Sequence, residues 1–74
     1  MPNRKDVAFM EMLSRNMRNV MKEKNLSQVS VCRCMGISAP TLNRYLNGDR
    51  TPSVYFIYRF CKVVKVSMDS LLEM

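Results

Sequence analysis

The chain contains no histidine. That excludes a histidine general base, a Ser–His or Cys–His nucleophilic pair, and any histidine metal site. Glycine and proline are scarce, with 2 and 3 residues among 74. Two separated glycines build no phosphate-cradling loop. The same scarcity, with few β-branched runs, favours an all-α fold. Long apolar runs are missing too. The longest, Val54 to Tyr58, stops at Arg59, far short of the ~20 residues a membrane span needs. The N-terminal stretch holds no uninterrupted apolar segment, so no signal peptide is expected. The expectation is a cytoplasmic protein without a membrane partner, its 3 cysteines reduced. Cys32 and Cys34 project about 200° apart on a helix and cannot chelate one ion. Cys32 and Cys61 fall at small core positions and Cys34 at an exposed one. No metal, no cofactor and no small-molecule ligand are therefore expected, and no enzyme, for want of a paired acid and base.

What the chain does have is positive charge. Lys and Arg number 12 against 6 Asp and Glu, giving a net charge of +6 and a pI near 9.7. Such a balance suits a polyanion, either nucleic acid or an acidic membrane surface. The hydrophobic fraction of 47 % is ordinary for a globular chain, so disorder is not expected. A chain of 74 residues makes one domain, 1–74, with a core small enough to need close helix packing or a partner chain. The 8 methionines are expected to fill gaps in that core.

Apolar periodicity predicts five helices. Residues 1–5 read as a mobile polar arm, with Arg4 and Lys5 able to lie across a phosphate backbone. Asp6 opens the first helix, whose buried stripe is expected to be Phe9, Leu13, Met17 and Val20, joined by Met10 and Met21. Asn25 is placed to end it as the residue after the cap, and Leu26 anchors the turn. Ser27 caps a second helix that buries Val31, Cys32 and Met35. Gly36 ends it, Ile37 fills the turn, and Ser38 caps a third helix with Pro40 in its first turn. That helix buries Leu42 with Tyr45 or Leu46 and stops at Asn47-Gly48. Ser53 caps a fourth helix with Val54, Ile57, Cys61 and Val64 on one stripe and Phe60 beside it. Tyr55, Phe56 and Tyr58 are too many large side chains for that stripe. Part of them is expected outside, as boundary packing or as a dimer surface. Ser67 caps a short fifth helix, where Met68, Leu71 and Leu72 close the core.

The second and third helices form the pattern around which the chain is organised. A small residue at Cys32 lets the helices approach, Gly36 turns the chain sharply, and Leu42 plugs the angle between them. A pair of this kind presents its second helix outward, ready for a major groove. Read together, LSQ, CRCMGIS, TLNRYLNGDRTPS and FCKVVKVSMDSLL resemble the phage-repressor and Cro-like helix-turn-helix family. That family shows L-[ST]-Q, then A-x-x-x-G-[VI]-S, a recognition helix closed by N-G, then P-S, and finally V-S-x-x-x-L-L. The likeness runs from about Leu13 to Leu72.

The resemblance implies an all-α bundle of five short helices that binds duplex DNA. By position in the motif, Ala39, Pro40, Thr41, Asn43 and Arg44 face base edges. Arg44 can fork onto guanine and Asn43 can pair with adenine, while Ala39 and the Thr41 methyl suit a thymine methyl. Ala39 and Pro40 replace the glutamine or arginine often found there, which shifts weight to Asn43, Arg44 and DNA shape. Gln28 at a helix N-terminus, Arg33, Arg18, and the backbone near Asn47 and Arg50 are the phosphate candidates. Lys65 stands where the family usually has glycine, so a strained or differently shaped turn is expected. The implied function is a transcriptional repressor acting as a homodimer on a near-palindromic operator, with activation through polymerase contact also open. No second domain for effector sensing is expected. The alternative is an antitoxin or protein-interaction module on the same fold, and RNA binding is a weaker third reading.

Overall fold

The computed structural model describes residues 4–73, with side chains from Asp6 onward. Among these residues it forms five α-helices and no strand: α1 Arg4–Glu23, α2 Gln28–Met35, α3 Ala39–Leu46, α4 Val54–Val64 and α5 Met68–Leu72. The expected arm is shortened, because α1 already includes residues 4 and 5. The rest of it, residues 1–3, lies outside the described residues.

One amino acid starts four of the helices. Ser27, Ser38, Ser53 and Ser67 are extended N-caps. Their hydroxyls accept from the N–H groups of Ser30, Thr41, Phe56 and Ser70 at 3.1, 3.3, 3.0 and 3.1 Å. Each cap satisfies an otherwise unpaired donor and contributes about 1 kcal/mol.

One backbone device ends four of them. Asn25, Gly36, Gly48 and Lys65 are left-handed, with φ of 56°, 70°, 76° and 62°. The next residue's N–H then reaches back: Leu26 to the Met21 carbonyl at 2.8 Å, Ile37 to Cys32 at 3.0 Å, Asp49 to Arg44 at 2.9 Å and Val66 to Cys61 at 3.1 Å. This is the Schellman closure. Leu26, Ile37 and Val66 also pack against the core. Of the two expectations for Lys65 the structure takes the strained one: Lys65 makes the same turn as the glycines, at a cost of about 1 kcal/mol for a side chain in left-handed backbone.

The core takes Leu13, Met17 and Met21 from α1, Val31, Cys32 and Met35 from α2, and Leu42 and Leu46 from α3. It is completed by Phe56, Ile57, Phe60, Cys61 and Val64 of α4 and Leu71 of α5. Helix α1 packs on α3 and α5, α2 on α3 and α4, and α4 on α5. The radius of gyration, 11.6 Å, matches the ~11 Å of a compact chain this long.

Three expectations need correction. Phe9 is 42 % exposed rather than buried, while Met12 and Ser14 are buried. A helix as long as α1 spans about 30 Å, and the whole molecule measures 33 × 24 × 20 Å. The first turns of α1 thus overhang the core. Val54 is 73 % exposed, and Phe56 is buried. The buried residues of α4 come in adjacent pairs, Phe56–Ile57 and Phe60–Cys61, followed by Val64. Its apolar face is centred between the pairs, which turns Val54 outward and Phe56 inward. The Phe56 ring packs at a 33° tilt against Tyr45, with centroids 4.0 Å apart, and lies near-parallel to Phe60 at 6.5 Å.

Helix α1 also reaches the ends of three other helices. Asn16 Nδ2 donates to the carbonyls of Leu71 and Glu73 at 2.7 and 2.6 Å. Arg18 Nη1 donates to the Leu46 carbonyl. Lys24, just past α1, donates from Nζ to the Lys65 carbonyl at 3.3 Å. Helix C-termini carry partial negative charge and unpaired carbonyls, so donors are stabilising there, cations most of all. Among the described residues no helix is long and apolar enough to cross a membrane.

Candidate nucleic-acid interface

From Lys24 to Gly48 the sequence contains no Asp or Glu. That acid-free stretch holds both α2 and α3, so their exposed surface has only positive formal charge. Between them the chain turns at Gly36, with φ 70° and ψ 34°. A Cβ built there meets nothing within 4 Å. The glycine serves the backbone conformation and not the space. Cys32 and Leu42 are both buried, the latter completely, and Ile37 packs beside them.

Helix α3 divides cleanly by burial. Leu42 and Leu46 are buried and Tyr45 is half-buried on Phe56. Of the residues expected to read bases, Ala39, Pro40, Asn43 and Arg44 are exposed. Thr41 is only half-buried, and its hydroxyl lies 2.8 Å from that of Ser38. Its polar atom is thus engaged in the N-terminal cap. The exposed set can offer the forked donor of Arg44, the amide of Asn43 and two small apolar surfaces.

The phosphate candidates are placed unequally. Gln28 is exposed at the start of α2, and Arg33 is exposed in its last turn. Arg50 is exposed, its guanidinium 5.8 Å from the centroid of the Tyr45 ring. That contact holds a cation beside α3 and has no signature in the sequence, because it depends on the path of the loop. Asn47 departs from expectation. Its N–H donates to the Asn43 carbonyl at 2.9 Å, and the Gly48 N–H donates to Tyr45 at 3.2 Å. The backbone donors there close α3, which leaves the exposed Asn47 side chain as the available group. Arg18 is exposed, and its guanidinium donates from Nη1 to the Leu46 carbonyl at the end of α3.

The residues expected at a dimer surface separate likewise. Tyr55 and Tyr58 are 69 % and 48 % exposed, whereas Phe56 belongs to the core. The Arg59 guanidinium sits 5.9 Å from the Tyr55 ring and the Lys62 ammonium 5.3 Å from the Tyr58 ring.

Two short helices joined by a left-handed glycine, the second with a polar, cationic outer face, define a helix-turn-helix. The chain belongs to the helix-turn-helix family, whose family model matches residues 17–71. Over 62 residues it is 31 % identical to an uncharacterized HTH-type transcriptional regulator, YqaE, of Bacillus subtilis (strain 168). The matched region takes in 84 % of this chain and 53 % of that protein, so the chain spans about half the length of this relative. No solved structure matches the chain.

Proposed function

We propose that the protein is a sequence-specific duplex-DNA-binding regulator of transcription, acting as a repressor by occupying a near-palindromic operator as a homodimer. The observation that carries this reading is the outer face of α3, where Asn43 and Arg44 stand exposed within an acid-free helix pair. The similarity to an HTH-type transcriptional regulator supports it. Arg44 and Asn43 supply direct readout, and Ala39 and Pro40 supply shape and apolar contact. Gln28, Arg33, Arg50 and the Asn47 side chain take phosphates. The dimer is built on the exposed Tyr55 and Tyr58. Two copies of α3 then enter major grooves about 34 Å apart.

The test is selection of bound sequences from a random duplex library. A two-fold-symmetric motif is the expected outcome. An asymmetric motif removes the dimer. Salt-sensitive binding with no enriched sequence removes specificity, and the protein-interaction reading then takes its place.

A further inference from the structure

Every α-helix ends with four carbonyls that have no partner inside it. In α3 all four are satisfied, and not in the same way. The Asn43, Arg44 and Tyr45 carbonyls accept from the backbone N–H groups of Asn47, Asp49 and Gly48, at 2.9, 2.9 and 3.2 Å. Those donors belong to the turn that follows α3 and move with it. The fourth carbonyl, Leu46, accepts from Arg18, which lies on α1, 28 residues earlier. Arg18 is therefore the polar tie between the last turn of α3 and another element. It also brings a cation to the negative end of the helix, where the dipole favours one. Asn43 and Arg44 sit within one turn of Leu46. With only 8 residues, α3 is about 12 Å long. A helix that short has little contact area to resist tilting, so a tie at its end sets where its readers point.

We infer that Arg18 is a positioning residue: by holding the Leu46 carbonyl it fixes the angle at which α3 presents Asn43 and Arg44 to DNA. This rests on the DNA-binding reading above and deepens it. It replaces the expectation that Arg18 contacts phosphate. The planar guanidinium suits the role better than an ammonium, because its donors keep a fixed direction.

The experiment compares wild type, Arg18→Ala and Arg18→Lys in two measurements. The first needs no DNA: amide hydrogen exchange at Asn47, Gly48 and Asp49, referenced to Ile37 and Val66, which close α2 and α4 by the same turn. Arg18→Ala is expected to speed exchange at the α3 end by roughly fivefold over those references, the size of one helix-terminus contact. The second is binding to preferred and scrambled duplexes over a range of salt. Arg18→Ala should lower preference between the two duplexes while the slope of log affinity against log salt stays as in wild type. A slope reduced by about 0.9, with equal loss on both duplexes and unmoved exchange, overturns the inference and makes Arg18 a phosphate contact. Should Arg18→Ala not fold, Arg18→Lys decides. Partial loosening at the α3 end supports positioning, and wild-type exchange with wild-type binding overturns it. Absence of salt-sensitive duplex binding by wild type removes the DNA reading, and the exchange data still report whether Arg18 holds α3.

Discussion

The outward faces of α3 and α4 differ in kind although each carries arginine. On α3 the exposed residues are small or hydrogen-bonding, Ala39, Pro40, Asn43 and Arg44. On α4 they are Val54, Tyr55 and Tyr58, and the cations Arg59 and Lys62 lie 5.9 and 5.3 Å over their own tyrosine rings. Such contacts contribute about 0.5–1 kcal/mol at exposed sites, enough to bias a flexible cation toward its ring. A net charge of +6 therefore does not locate a binding face by itself. What distinguishes α3 is its small and hydrogen-bonding outer face, on which Arg44, unlike Arg59 and Lys62, lies over no aromatic ring among the described residues.

Four comparisons break or sharpen that contrast. The largest effect is expected inside α4. Phe56→Arg removes a buried ring and buries a charge, a loss of roughly 3–5 kcal/mol or more. That is a large part of the ~5–15 kcal/mol available to a small domain. A thermal melt followed by circular dichroism should lose its cooperative step. The neighbouring Tyr55→Arg should stay within about 0.5 kcal/mol of wild type, and an equal collapse would mean that the two faces of α4 are assigned wrongly.

Next comes Arg44→Ala, expected to cost about 1–3 kcal/mol of preference among operator variants. Arg59→Ala should leave that preference alone. Titrations on a panel of single-base variants decide, and a uniform loss would turn Arg44 into a phosphate contact.

The two helix ends at Gly48 and Lys65 have nearly the same backbone, with φ of 76° and 62°. Their surroundings differ: a Cβ on Gly48 would stand 3.3 Å from the Ser14 hydroxyl, and Ser14 is buried, whereas Lys65 is exposed. Lys65→Gly should stabilise by about 0.5–1 kcal/mol and Gly48→Ala should destabilise by about 1 kcal/mol or more. The shift of the urea midpoint reads both.

The smallest effect concerns pH. Burial pushes the Cys61 thiol above its ordinary value of 9.0. The folded state thus holds that proton more tightly than the unfolded chain. The contribution is fully present below the unfolded value and is lost as pH rises through the folded one. Between neutral and strongly alkaline pH, wild type should lose slightly more stability than Cys61→Ala. Urea titrations at several pH values compare the two slopes, and parallel slopes would show that folding does not shift the thiol's titration.

Most of the fold was legible because its signals are local. The serine caps, Gly36, Asn25 and the buried positions of α2 and α3 follow from spacing within a few residues. The misplaced residues, Phe9, Val54 and Phe56, share one cause. Periodicity gives the width of an apolar face but not its centre, nor how far along a helix the core extends. The exposed candidates on α3 were legible from the family motif. The engagement of Arg18, the stacking of Arg50 on Tyr45 and the closure of the Asn47 N–H all depend on where distant or turning backbone lies. Nothing in the residue types announces them.

The Asn16 clasp has a consequence for the order in which the chain assembles. Every cap and turn joins residues close in sequence, so the separate helices can begin to form early. Asn16 instead bonds carbonyls 55 and 57 residues away. Closing a loop that long has the greatest entropy cost of any contact described, so in the folding transition state it should be largely unformed. Asn16→Ala should then leave the refolding rate nearly unchanged and speed unfolding, with α5 the first helix to detach.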